Sequence, residues 1–291
     1  MNTFSEILNP NFLLRDALVG SVLVGLVCPL VGVYFVLRRM VFLGVALPQV
    51  SAAGIACSFL GYRLIMGPHE HGEAGERMIA LVGSLGFTLL ALLFLAALER
   101  SARQSVEVRI GVTYAMAAAA TILFLAADPY AEAHLVSILK GDILATTRSS
   151  LSLTTTVFGV VVLTLLLFRR EFLLVSFDRD MASVLGFRTR LWDTLLYLLI
   201  GITISLGVMT AGPVVTFGFL VVPAVTVRLL VRRMLTFSIA SAVLGGMTAF
   251  VGFACAYRYD LPLGPAEVAI ASVVLLLVAG ARGAVRLVAG G

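Results

Sequence analysis

The sequence predicts an all-α, polytopic helical membrane protein with about eight to nine transmembrane helices. Composition is the first reason. About 60% of the 291 residues are apolar and 13% are charged, against about 45–50% and about 25% in soluble domains. A soluble domain of this size cannot hide so much apolar surface behind so few charges, and the mean hydropathy of +1.06 agrees. The second reason is spacing. The apolar residues fall in runs of about 20, the length a helix needs to cross the hydrocarbon core, where only helices and closed barrels satisfy their own backbone. A soluble enzyme, a disordered chain and a disulfide scaffold are excluded. Cys28, Cys57 and Cys255 all lie inside apolar runs and read as small core residues.

Residues 1–291 read as a single transmembrane domain. Nine apolar stretches follow in order, at 17–37, 41–62, 78–98, 110–127, 151–168, 191–209, 212–227, 235–257 and 265–281. Residues 3–15 are expected at the interface before the first of them. The second stretch carries Pro48, which removes one donor and displaces the carbonyl of Gly44 from the helical ladder. Gln49 and Ser51 follow. Polar side chains beside a freed carbonyl suit the wall of a pathway, or a kinked helix whose Gln bonds a neighbour. In 210–227, Gly212, Pro213, Gly218 and Pro223 interrupt one apolar segment. Such backbone is tolerated at membrane depth only where it is buried or lines a cavity.

Threading the stretches alternately puts fifteen of the 21 basic residues on one side, among them Arg38, Arg39, Arg169, Arg170, Arg179, Arg188, Arg190, Arg228 and Arg233. The acids lean the other way. The positive-inside rule makes the arginine-rich side cytoplasmic, with the C-terminus inside. A re-entrant segment at 134–147 or 210–227 would change the parity. The net charge of +5 is no nucleic-acid signature, because the basic residues sit between apolar runs.

Two connections carry most information. Residues 128–150 are expected outside and hold Asp128, Glu132, His134, Lys140 and Asp142. Residues 169–190 are expected inside. Within them Asp178 to Leu185 reads as a short amphipathic helix, with Asp178 or Asp180 at its positive end and Gly186 as its stop. The only lysine, Lys140, precedes Gly141 and Asp142, so no phosphate-binding loop of the Gly-x4-Gly-Lys-Ser/Thr form exists. No Ser-His-Asp set, zinc-protease helix or dinucleotide fingerprint is found, so no catalytic residue is named. The outer cluster His69-Glu70-His71-Gly72-Glu73 and the group around His134 and Asp142 could gather a divalent cation weakly, or be solvated acidic loops.

Arg38-Arg39-Met40-Val41-Phe42-Leu43-Gly44, followed by Ala53-Gly54, resembles the Arg-Arg-Met…Gly-Asp…His…Gly motif of permease subunits in metal-type ABC importers, the zinc, manganese and iron uptake systems of bacteria. Gly141-Asp142-Ile143-Leu144 resembles that family's Gly-Asp-Leu-Leu segment. Asp178-x3-Ala182-x3-Gly186 resembles its cytoplasmic coupling segment. Leu206-Gly207-Val208-Met209 with Val222-Pro223-Ala224-x3-Arg228 resembles its late Pro-Ala block, and Tyr259-Asp260-Leu261-Pro262-Leu263-Gly264-Pro265 its last outer loop. The matches run in order from about residue 38 to 281.

The resemblance implies a permease in the bacterial inner (cell) membrane. It implies a substrate pathway through Gly44, Val45, Pro48, Gln49, Ser51, Asp142 and Pro223, and coupling to ATP hydrolysis through Asp178, Asp180, Ala182 and Gly186. It implies three kinds of partner besides lipid: a cytoplasmic ABC ATPase dimer that holds ATP and magnesium, an extracellular or periplasmic solute-binding protein, and a second permease copy in a homodimer. This chain itself would bind no cofactor and catalyse nothing. Gly245, Gly246 and Gly252 would allow close approach of helices for the pairing. One departure stands out. The family's acid and histidine on the second span fall here on Val45 and Gln49, so the metal assignment is weaker than the transport assignment. A non-metal cargo in the same machine is one alternative. An ion-coupled secondary transporter would need ionisable residues near the midplane, and Glu267 is the nearest candidate. A scaffold without transport would not need kinked spans.

Overall fold

The computed structural model describes residues 14–66, 73–98, 106–127, 148–231 and 233–289. In chain order the helices are α1 (Arg15–Leu37), α2 (Leu43–Met66), α3 (Glu73–Leu98), α4 (Val106–Ala126), α5 (Arg148–Leu167), α6 (Arg169–Phe177), α7 (Arg179–Val184), α8 (Thr189–Leu230), α9 (Met234–Tyr259) and α10 (Leu263–Ala289). Among the described residues, eight of these are long and apolar enough to cross a membrane; α6 and α7 are the exceptions. The chain is an all-α, multi-pass membrane protein.

The nine apolar stretches become eight long helices because 191–209 and 212–227 are two arms of α8. That element has 42 residues and would run about 63 Å if straight, twice the hydrocarbon thickness. It is not straight. Gly212 has φ +80 and ψ 166, a region open essentially to glycine alone. Pro213 follows and disfavours helical backbone at the residue before it. The arms fold toward each other: a Cβ on Gly207 would meet Thr216 Cγ2 at 2.8 Å, whereas residues nine apart in a straight helix are about 13 Å apart.

α1 is the central helix and packs along α8 and α9, while α2 packs on α3, α4 and α8. Lipid offers no hydrophobic reward for helix association, so close backbone approach at small residues supplies much of the packing. Gly25 of α1 meets Gly245 of α9 backbone to backbone, Gly54 of α2 meets Gly83 of α3, and Gly32 of α1 lies against the carbonyl of Leu220 in the second arm of α8. Gly246 faces Leu26, and Gly252 faces Glu267 of α10. This corrects the expectation for Gly245, Gly246 and Gly252. They are spent on contacts within the chain, so they provide no face for a second copy.

One end of the bundle gathers the C-terminus of α1, the segments α6 and α7, the start of α8 and the α8–α9 turn. Tyr34, Phe168, Phe172 and Trp192 form an aromatic cluster there, edge-to-face at Phe172 and tilted between Phe168 and Trp192, with Phe172 and Trp192 centroids 5.6 Å apart. Val33, Ala224, Val227 and Phe237 make a second apolar cluster beside it. The opposite end holds the α1 N-terminus, the Gly212 break, whose neighbour Val215 packs on Gly264, and the start of α10. Arg148 lies 3.8 Å from Asp16 at that end. The pair is exposed, and such pairs contribute about 0–1 kcal/mol.

Candidate functional site

The sequence signals on the second apolar stretch converge on one face of α2. Between Leu43 and Ala56 every residue is buried except Val45 and Gln49, which are half-buried. Four residues apart, they share one side of the helix. Their exposure follows from what surrounds them. Gly44 turns toward the second arm of α8, where a Cβ would sit 3.2 Å from Val221. Pro48 is buried, and Gly54 closes on α3. Ser51 departs from the expected pathway wall: it is fully buried, and its hydroxyl is 2.6 Å from that of Ser84, tying α2 to α3. Pro223 is buried in the second arm of α8. The open face thus offers one neutral amide and one aliphatic side chain, with no charge.

His69, His71, His134 and Asp142 lie outside the described residues. Among the described residues, no group of three or more His, Cys, Asp or Glu is placed to hold a metal ion.

The expected helix at Asp178 to Leu185 is present as α7, and its ends follow from local chemistry. Asp178 is the N-cap, its Oδ1 accepting from the Met181 amide at 2.9 Å, while Asp180 lies in the first turn. At the other end the Gly186 amide donates to the Ser183 carbonyl and the Phe187 amide to the Ala182 carbonyl, both at 3.1 Å. That pair of bonds needs a left-handed residue after the cap, and Gly186 supplies it with φ +84. Ala182 is buried. Phe177, Met181, Val184 and Leu185 are exposed, Val184 by 81%, which leaves an apolar edge at the end of the bundle.

Beneath α7 lies an ion network that sequence patterning did not mark. Asp193, near the start of α8, is buried. Arg38 Nη2 donates to its Oδ1 at 2.8 Å, and Arg179 Nη2 approaches its Oδ2 at 3.0 Å. Arg38 also donates from Nε to Ser176 of α6 at 3.1 Å, and its guanidinium lies over the Tyr197 ring at 5.5 Å. The available signal was an acid two residues inside an apolar stretch, since such acids have partners.

A second buried acid sits at the opposite end. Glu267, just beyond the first turn of α10, is fully buried, and its Oε1 accepts from the Ser21 hydroxyl at 2.5 Å. Its Oε2 has no partner among the described residues. Replacing Ser21 with alanine would leave the whole carboxyl unpaired, at a cost of about 1–3 kcal/mol. The expected result is a lower unfolding temperature of the detergent-solubilised protein, whereas an unchanged temperature would show that the bond contributes nothing.

Fold and sites together define a polytopic membrane protein with one partly open helix face and a capped, apolar-edged segment at one end. The model of the ABC 3 transport family matches residues 11–281, and the chain belongs to that family. It is a permease of the ABC transporter type. The manganese transport system membrane protein MntC of Listeria monocytogenes is 26% identical over 264 residues, 91% of this chain and 89% of the relative. The manganese import system permease protein ScaB of Streptococcus parasanguinis is 25% identical over 265 residues, again 91% and 89%. The structure of PsaBC from Streptococcus pneumoniae in complex with Fab matches with a TM-score of 0.79 at 23% identity, covering 95% of this chain and 94% of that one. At that identity the likeness is one of fold.

Proposed function

We propose that this chain is the membrane half of a binding-protein-dependent importer that moves a divalent metal still wrapped in other ligands, as a chelate. The observation that carries the reading is the half-open α2 face. Val45 and Gln49 stand where the family resemblance puts an acid and a histidine, in an otherwise buried stretch. A dication stripped of water beside them would meet no charge and one amide, and its desolvation would be poorly offset. Amide and carbonyl oxygens suit hard cations or hydrogen-bonded solutes better than zinc. Names of relatives such as MntC and ScaB favour a metal cargo; the face disfavours a bare ion.

In this reading the arginine-rich end is cytoplasmic and the C-terminus lies inside, in the inner membrane of a bacterium. The loop 169–190 docks through α7 on a separate ABC ATPase dimer, where ATP and magnesium bind. A solute-binding protein delivers cargo at the opposite end, and a second copy of this chain completes the pathway across the α2 face. His134 and Asp142 would add ligands on the outer side, with His69 and His71 further out.

The test is uptake by vesicles reconstituted with all partners. The native protein should take up a metal chelate and little bare manganese or zinc. Val45→Asp with Gln49→His should move bare metal or trap it in the membrane. Equal uptake of the bare ions by both proteins would show that this face does not select the cargo.

A further inference from the structure

The ion network under α7 points to a mechanical role for Asp193, an inference that rests on the proposed docking of α7. We infer that Asp193 is a positioning residue that passes movement of α7 to the start of α2, and so to the face that Val45 and Gln49 occupy.

The carboxylate is divided between two helices. Oδ1 holds Arg38, the C-cap of α1, and Oδ2 holds Arg179, the first residue of α7. The halves differ in exposure. The Arg38 side chain is 11% exposed and fixed from two further sides by Ser176 and Tyr197, whereas that of Arg179 is 56% exposed. The inner pair is therefore a fixed joint, and the outer pair is a contact that can open and close. An exposed pair adds little to stability, so the outer contact matters chiefly for where it holds α7. Of the α7 residues only Ala182 is buried, which leaves Arg179 as its charged tie to the bundle.

The joint leads directly to α2. After Arg38 the chain turns through Arg39 in left-handed backbone, φ +57, with the Met40 amide donating to the Phe35 carbonyl at 3.0 Å. A non-glycine residue is held in that region only where its surroundings over-determine it. Amides of Leu43, Gly44 and Val45 then bond back to Met40, Val41 and Phe42 at 3.0–3.1 Å. These bonds tie the short turn after Arg38 to the end of α1 on one side and the start of α2 on the other, which gives a displacement at Arg38 a short covalent route to the first turn of α2.

The experiment measures transport per ATP hydrolysed in the complete reconstituted complex. Arg179→Gln opens only the exposed contact and should lower this ratio roughly ten-fold, within the range typical of coupling between two sites. The unfolding temperature and co-purification of the ATPase should not change. Arg179→Lys should restore the ratio, and Asp193→Asn should lower it at least as far as Arg179→Gln. A purely structural network predicts a native ratio in Arg179→Gln, and that result overturns the inference. Gly186→Trp is run alongside. If it uncouples while Arg179→Gln does not, the link through Asp193 is wrong and the docking stands; if neither uncouples, both fall.

Discussion

A Gly32→Ala variant is expected to lose most of its folded population. The added Cβ would overlap the carbonyl oxygen and carbon of Leu220, which are backbone atoms in the second arm of α8 and cannot rotate aside. α1 and α8 would have to separate along one of the largest contacts in the bundle. Overpacking costs about 1–3 kcal/mol where side chains can adjust; a clash with backbone belongs at or above the top of that range. The matched controls are Gly61→Ala and Gly159→Ala. Neither glycine has a neighbour within 4 Å of the added atom, and alanine is favoured over glycine inside a helix by about 0.5–1 kcal/mol. Yield of monodisperse protein and unfolding temperature in detergent read the difference. Native behaviour of Gly32→Ala would mean that the α1–α8 crossing is looser than described.

Gly186→Trp is expected to abolish transport while leaving the membrane fold intact. Nothing lies within 4 Å of a Cβ at Gly186, so a side chain there starts into open space and not into the bundle. The internal cost is the left-handed backbone, about 1–2 kcal/mol for an ordinary residue, confined to the end of α7. Gly186→Asn separates strain from docking, because asparagine tolerates that backbone and is small. Transport should survive in the asparagine variant and vanish in the tryptophan variant, with ATP hydrolysis continuing. Equal loss in both would trace the effect to the backbone. Retention in both would remove the docking role of α7.

Features set by neighbours in sequence were legible. Gly212 before Pro213 announces a break, and Asp178 and Gly186 announce the two ends of α7, because caps and pre-proline restrictions act within a turn. The α2 face was legible as positions, since a spacing of four defines one side of a helix. What it packs against was not. Ser51 looked like a pathway residue until Ser84, 33 residues on, took its hydroxyl. Asp193 finds Arg38 across 155 residues, and no periodicity records which partner an acid will meet. The glycines of α9 marked a close crossing correctly but did not say with whom. A small residue permits approach from any helix, and α1 and α10 filled the place that a second copy was expected to take.

The reversal at Gly212 also governs how this part of the chain enters the bilayer. Between Asp193 and Arg228 there is no charged residue, so the insertion machinery meets one apolar run with no hydrophilic loop to export and no charge to halt at. The short uncharged apex at Gly212 and Pro213 suits entry of the two arms as a bent pair. The unit that crosses the bilayer here is then the hairpin of both arms, closed where Gly207 packs on Thr216, and not either arm alone.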